Sequence, residues 1–111
     1  MRISEPEKEA ILRSIRRSFP GVRRILLFGS RTDDTKRGGD IDLLVETTEN
    51  EQARYVHAAQ AVADIQLSLG EQKIDLVVAY PEDTKEDRKD PRTVVRVARE
   101  TGIVLWPEKT N

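Results

Sequence analysis

Three short apolar runs most constrain what this chain can fold into, because runs of this length are typical of buried strands. They extend from Val22 to Phe28, from Asp40 to Val45 and from Lys73 to Ala79. The full order is helix, strand, loop, strand, helix, strand, helix and a short strand from Ile103 to Trp106. This alternation predicts an α/β (α+β) fold, in which helices flank a small β-sheet. The connection between the first two strands is short for a parallel crossover, so we expect a mixed sheet.

Apolar residues repeat with helical spacing in the three segments around these runs. The first follows a capping box at Ser4 and Glu7 and repeats at Ile11, Ile15 and Phe19. The second helix is predicted from a longer apolar stripe: Tyr55, Ala58, Val62, Ile65 and Leu69. The last helix is expected to carry three residues on one face: Val94, Val97 and Thr101.

Length and composition exclude several classes of protein. The 111 residues fit one domain spanning residues 1–111. Its 20 acidic and 19 basic residues give a net charge of -1, which argues against general nucleic-acid binding. Without cysteine there is no disulfide, thiolate metal site or cysteine nucleophile. No segment resembles a signal peptide or a membrane span, so we expect a soluble, cytoplasmic protein.

Two single residues have an ordinary structural interpretation. His57, the only histidine, lies off the apolar stripe of its helix and is expected on a solvated face. Trp106 is expected to close the core, although an exposed edge that binds a partner is the alternative.

Acidic residues stand at the start of two of the predicted strands. Side chains alternate along a strand, so Asp40 and Asp42 face the same way, within roughly 7 Å of each other. Two such carboxylates repel each other, and a hard cation such as Mg²⁺ removes the repulsion. Asp75 repeats the pattern in the next strand. If the two strands are neighbours, three carboxylates reach one site that could hold one or two Mg²⁺ ions.

A Gly29-Ser30 pair follows the first strand directly. Glycine allows backbone to approach a phosphate closely, and backbone N–H groups and a hydroxyl can bind its oxygens. Arg31, Lys36 and Arg37 are near enough in sequence to offset triphosphate charge. Each feature alone has a plain interpretation, as a turn or a solvated strand face. Their combination indicates a site for a metal and a nucleotide.

Gly29-Ser30, nine intervening residues and then Asp40-Ile41-Asp42 resemble the signature of the DNA polymerase beta superfamily of nucleotidyltransferases. The resemblance is strongest to its minimal nucleotidyltransferase (MNT) branch and covers Ile25 to about Val78. It implies a mixed sheet flanked by helices. It also implies a catalytic, Mg²⁺-binding triad of Asp40, Asp42 and Asp75, a nucleotide held at Gly29 and Ser30, and ATP as substrate. Arg31 is a further candidate for nucleotide binding because it follows the Gly-Ser pair directly.

The resemblance also implies a partner. MNT proteins are often the antitoxins of HEPN-domain RNases, to which they transfer AMP from ATP onto a tyrosine. Two alternatives stay open: a non-catalytic antitoxin that neutralises its partner by contact, and a nucleotidyltransferase for a small molecule such as an aminoglycoside. A homodimer or a hetero-oligomer is compatible with each. The charged segment from Glu82 to Asp90 is expected to be a solvated loop, with partner contact as the alternative.

Overall fold

Four strands form one mixed sheet in the order β3-β2-β1-β4. The computed structural model describes residues 3–32, 40–48, 54–70, 72–79 and 93–107. The elements, in chain order, are α1 (Glu5–Ser18), β1 (Val22–Phe28), β2 (Ile41–Thr47), α2 (Arg54–Leu69), β3 (Ile74–Ala79), α3 (Thr93–Thr101) and β4 (Ile103–Trp106). The predicted order of elements and the α/β fold class are therefore confirmed. The segment from Glu82 to Asp90 lies outside the described residues, as do Lys36 and Arg37.

The direction of each strand follows from the connection that precedes it. β1 pairs antiparallel with β2, and β4 adds antiparallel to the other edge of β1. β2 and β3 pair in parallel, because α2 carries the chain back to the same end of the sheet. The mixed sheet expected from the short first connection is present. Among the described helices, none is long and apolar enough to cross a membrane.

The first helix begins as its sequence predicts. The Ser4 hydroxyl accepts a hydrogen bond from the Glu7 backbone at 3.2 Å, and the Ser4 backbone donates to the Glu7 carboxylate at 2.8 Å. This reciprocal box satisfies two donors that helix geometry leaves open. The stripe of Ile11, Ile15 and Phe19 is then buried against the sheet.

Both faces of the sheet are covered. On one face, residues of α1 and α2 such as Ile11 and Ile65 pack with Ile25 and Leu43. On the other face, a smaller cluster joins α3 to the sheet: Leu26, Phe28, Leu44, Ala79, Val95 and Ala98. The two central strands therefore bury consecutive residues on both sides, which accounts for their unbroken apolar runs.

The predicted face of the last helix was wrong. Val95 and Ala98 are fully buried, whereas Val94 and Val97 are each 43% exposed. Three valines within four residues allow two apolar stripes offset by one position, and only docking on β1 and β2 selects between them.

Packing corrects the expectation for His57 and bears out the one for Trp106. His57 is partly buried rather than solvated, and its ring meets the ring of Phe19 edge-on at 5.5 Å between centroids. Trp106 does pack against the larger cluster, but it stays partly exposed, with the Arg16 guanidinium over its ring.

A glutamate on β2 joins three elements. Glu46 accepts hydrogen bonds from Arg24 of β1 at 2.8 and 3.0 Å and from Arg99 of α3 at 2.8 Å. Burial raises the pKa of Glu46, but the hydrogen bonds and charges of the two arginines outweigh it, so the pKa lies below its ordinary value of 4.5. The carboxylate therefore stabilises the position of α3 on the sheet while it is ionised.

We expect Glu46→Gln to lower the free energy of unfolding by about 2 kcal/mol at pH 7, because charge-assisted hydrogen bonds become neutral ones. Since folding lowers the pKa of Glu46, its stabilising effect is fully present above pH 4.5 and is lost as the pH falls through the pKa of the folded state. Urea denaturation of both proteins from pH 7 to pH 3 measures the difference. A difference that stays constant across this range would contradict the assignment.

Candidate active site

Two of the predicted acids face each other across the parallel strand pair. In the register of β2 and β3, Asp42 stands directly opposite Asp75, and their carboxyl groups are close enough to hydrogen-bond. Asp42 shares the α3 face of the sheet with Leu44, two residues further along β2. It is partly buried, whereas Asp75 is exposed. The structure therefore brings together carboxylates from the two strands whose adjacency the sequence left open.

The electrostatics of this pair are unfavourable without a cation. Burial raises the pKa of Asp42 above its ordinary value of 3.8, and the nearby charges of Asp75 and Asp40 raise it further. Lys73 acts in the opposite direction but is the weakest of these influences. Ionised carboxylates at this position favour any positive charge that can reach them.

Asp40 lies just before β2, and its carboxylate is directed to a lysine. Lys73 Nζ is 3.5 Å from Asp40 Oδ2, and the Lys73 carbonyl accepts the backbone N–H of Ile41 at 3.0 Å. Sequence analysis did not identify Lys73 as a candidate. Its proximity to Asp40 depends on the parallel register, and the only signal was its place at the start of a strand that carries an acid.

The acids fit a hard divalent cation by their donor chemistry. Within the described residues, no three acidic or histidine side chains are arranged as a complete metal-binding group. Asp42 and Asp75 form a pair, and Asp40 faces Lys73 instead. Carboxylate oxygens are the ligands that Mg²⁺ prefers, and it usually adds substrate phosphate oxygens and water to one or two of them. The pair therefore suits Mg²⁺ without a closed protein cage.

The glycine that follows β1 is fixed by two constraints. Gly29 begins a 3₁₀ turn, Gly29–Thr32, with a φ of 76°, in the left-handed region that disfavours side chains. A Cβ atom at Gly29 would also overlap the carboxylate of Asp42. The Thr32 hydroxyl donates to the Gly29 carbonyl at 2.7 Å and closes the turn. The backbone at Gly29 is thereby held against Asp42, and Ser30 is the next residue of the same turn.

Arg31 reaches from this turn towards the start of β3. Its guanidinium donates to the Gln72 side chain at 3.4 Å, and Gln72 in turn donates to Glu7 at 3.5 Å. The Ser4 backbone hydrogen bond lowers the pKa of Glu7 most, and the charge of Arg31 lowers it further. Arg31 is thus placed beside Gln72, the neighbour of Lys73.

A cavity of about 350 Å³ adjoins the same residues. It lies where α2 ends and β3 begins, and it is lined by Gln66, Gly70, Gln72 and Lys73. Lys73 therefore borders both the cavity and Asp40.

We expect Gly29→Ala to destabilise the fold more than Gly70→Ala. Both glycines have positive φ, but only Gly29 meets another group, since the space around Gly70 is open. The shared backbone strain costs about 1–2 kcal/mol, and the overlap with Asp42 adds to it only in Gly29→Ala. Denaturation of both variants measures the difference. Combining Gly29→Ala with Asp42→Ala should recover part of the loss, and equal losses at the two glycines would contradict the close approach.

Comparisons with known proteins bear on the family and the fold of this chain. The sequence model of the nucleotidyltransferase domain family matches residues 8–108. A toxin–antitoxin complex with AMP-PNP has a TM-score of 0.61 and 23% identity, over 92% of this chain and 74% of that one. A mutant of the toxin–antitoxin pair MntA-HpeT has a TM-score of 0.60 and 21% identity over the same shares. A comparison with curated proteins found no match.

The match to the family model extends over nearly the whole chain, and it includes both acid-bearing strands and the Gly-Ser turn. The similar structures have the same fold at low identity, as the resemblance implied. The chain belongs to the nucleotidyltransferase domain family.

Proposed function

We propose that this protein transfers AMP from ATP to a hydroxyl group of a partner protein in a Mg²⁺-dependent reaction. The observation that carries the proposal is the pairing of Asp42 with Asp75 beside the Gly29 turn. Family membership supports nucleotidyl transfer, and a similar structure contains AMP-PNP, an analogue of ATP. Both similar structures are toxin–antitoxin complexes, which supports an antitoxin role here. The proposed acceptor is a tyrosine of a HEPN-type toxin in the cytoplasm.

Each site residue has a chemical task in this proposal. Asp40, Asp42 and Asp75 would hold Mg²⁺, which supplies positive charge to the triphosphate when it is bound. The backbone of Gly29 and Ser30 binds phosphate oxygens, and Arg31 offsets their charge. The cavity beside Lys73, with a volume of about 350 Å³, would receive the rest of the nucleotide.

The transfer itself is an in-line displacement. The acceptor oxygen forms a bond to the α-phosphorus while the bond from that phosphorus to the β-phosphate oxygen breaks, and pyrophosphate leaves. Asp75, the exposed member of the pair, accepts the hydroxyl proton. The residues act mainly by positioning the reactants and by stabilising charge.

Lys73 is the residue of this site that sequence analysis missed. In the absence of a bound cation it is the positive charge nearest to Asp40 among the described residues that form ion pairs. Its side chain is 72% exposed, so it can leave Asp40 and turn to the phosphates without losing buried contacts. We infer that Lys73 neutralises the acids before metal binds and contacts the triphosphate afterwards.

Two alternative functions, a non-catalytic antitoxin and a small-molecule nucleotidyltransferase, make different demands on the residues of this site. A non-catalytic antitoxin needs a contact surface but no acid pair. The unfavourable charge arrangement around Asp42 favours a catalytic site, because a purely structural role gives no reason to keep it. A small-molecule nucleotidyltransferase needs an acceptor pocket, which a homodimer could provide.

The proposed function is tested with α-³²P-labelled ATP, Mg²⁺ and the protein co-purified with its HEPN-type partner. If the label is found on the partner as AMP linked to a tyrosine, the result supports the proposed enzymatic transfer. Inhibition of the partner's RNase activity without label supports the contact antitoxin. Transfer to an aminoglycoside in the absence of any partner supports the small-molecule enzyme.

We expect Asp42→Asn to lower the rate of transfer at least about 10³-fold, because a neutral amide neither binds Mg²⁺ nor stabilises the reacting charges as a carboxylate does. Asp64→Asn, the same change on the surface of α2, is the matched control and should keep full activity. Because the folded pKa of Asp42 is raised, stability is lost as the pH rises from its ordinary pKa of 3.8 through the folded pKa, and above that the loss is complete. The Asp42→Asn protein should therefore be at least as stable as wild type at pH 7, and retained transfer would refute the assignment.

We expect Lys73→Met to strengthen Mn²⁺ binding in the absence of nucleotide about fivefold. It removes a competing charge that, near 4 Å in water, is worth about 1 kcal/mol. The same variant should raise KM for ATP, whereas Lys73→Arg should resemble wild type in both measurements. Mn²⁺ binding is followed by electron paramagnetic resonance. Weaker Mn²⁺ binding by Lys73→Met would overturn the role given to this lysine.

A further inference from the structure

A second concave surface lies at the other end of the sheet from the acids. This groove, with a volume of about 600 Å³, runs between α1 and the edge strand β4. Its apolar lining consists of Leu12, Pro20, Val22 and Trp106. None of these residues belongs to the proposed transfer site. We refer to this surface as the α1–β4 groove.

The charged lining of the α1–β4 groove is mainly positive. It comprises Arg13, Arg16 and Arg17, with Glu9 as the acidic member. Arg17 forms an ion pair with Asp64 at 3.6 Å. Arg13 and Arg16 are exposed and lie three residues apart, so they stand side by side on the same face of α1.

Helix stability alone does not explain this arrangement. Basic residues in the last turn of α1, Arg16 and Arg17, interact favourably with the helix dipole. Arg13 lies before that turn. The Arg16 guanidinium, moreover, is held 4.9 Å from the centre of the Trp106 ring, a cation–π contact that joins α1 to β4 across the groove.

The α1–β4 groove and the acid pair are separated along β1. Val22, in the groove, begins the strand, and Phe28, which pairs with Asp42, ends it. Seven residues of strand span about 20 Å. A molecule in the groove therefore leaves the transfer site open.

We propose that the α1–β4 groove binds an acidic segment of a partner protein, one that carries carboxylates together with an apolar side chain. The carboxylates pair with Arg13 and Arg16, and the apolar side chain packs on Leu12 and Trp106. Arginine and tryptophan are the residues that most often dominate binding at protein interfaces. The proposal rests on the proposed function in one respect: the partner that docks here is the protein that presents the acceptor hydroxyl.

Two other occupants fit the groove less well. A second copy in a twofold dimer would bring the same arginines face to face, and like charges would oppose the contact. Nucleic acid would need a basic surface that continues beyond the groove, whereas the chain as a whole carries a net charge of -1. Charge complementarity thus favours an acidic peptide.

The test uses Trp106, the only tryptophan, as a fluorescent reporter within the groove. The probe is an eight-residue peptide of six glutamates and two leucines, and the comparators are its lysine counterpart and an eight-nucleotide single-stranded DNA. We expect the acidic peptide to change the fluorescence saturably. Arg13→Glu should weaken this binding at least tenfold, whereas Arg96→Glu, the same charge change on exposed α3 surface, should leave it unchanged.

Several outcomes would overturn the proposal. The acidic peptide could fail to bind, or it could bind the Arg13→Glu protein as tightly as wild type. The DNA could bind more tightly than the acidic peptide. The protein could also self-associate through the groove, in a way that Arg13→Glu abolishes and Arg96→Glu does not. Asp42→Asn should bind the peptide as wild type does. If the peptide binds but no AMP is transferred to any partner, the proposed function fails and the groove assignment stands. If AMP is transferred but the peptide does not bind, the groove assignment alone fails.

Discussion

The parallel pairing of β2 with β3 is the constraint on which the site depends, because it sets Asp42 opposite Asp75. Two carboxylates about 4 Å apart in water repel each other by about 1 kcal/mol, and by more when partly buried. Burial of a single leucine side chain stabilises a fold by about 2 kcal/mol, and Leu43 and Leu44 on β2 are both fully buried, on opposite faces. The packing of the strands therefore holds together acids that would otherwise separate.

The Gly29 turn adds a second constraint at the same place. Its backbone lies so close to the Asp42 carboxylate that a side chain at this position would overlap it, while Asp75 on the other side of Asp42 is exposed. The acid pair thus has the Gly29 backbone on its β1 side, and Asp40 and Lys73 also lie near it. The cavity lined by Gln72 and Lys73 lies where β3 begins, before Asp75. The Gly29 turn after β1, Asp42 on β2 and Asp75 on β3 therefore lie side by side, in the order of their strands in the sheet.

Sequence patterns predicted those parts of the structure that depend on local periodicity. The apolar runs predicted the strands, and the helical spacing of Ile11, Ile15 and Phe19 predicted the buried stripe of α1. Features that depend on which elements pack together were not predictable. The smaller apolar cluster, which joins α3 to the sheet, decides which face of α3 is buried, and the spacing of the valines in α3 does not. Lys73 meets Asp40 only through the parallel register, and Glu46 joins Arg24 to Arg99 only once α3 has docked.

The near-neutral net charge conceals a separation of charge along β1. Acids gather where this strand ends, and exposed arginines line the groove where it begins. Under the two proposals, this separation keeps two acidic ligands apart. A triphosphate is repelled by the acids until a cation neutralises them, whereas an acidic protein segment is attracted to Arg13 and Arg16 at all times. Docking of the partner would then need no metal, and only the transfer step would depend on one.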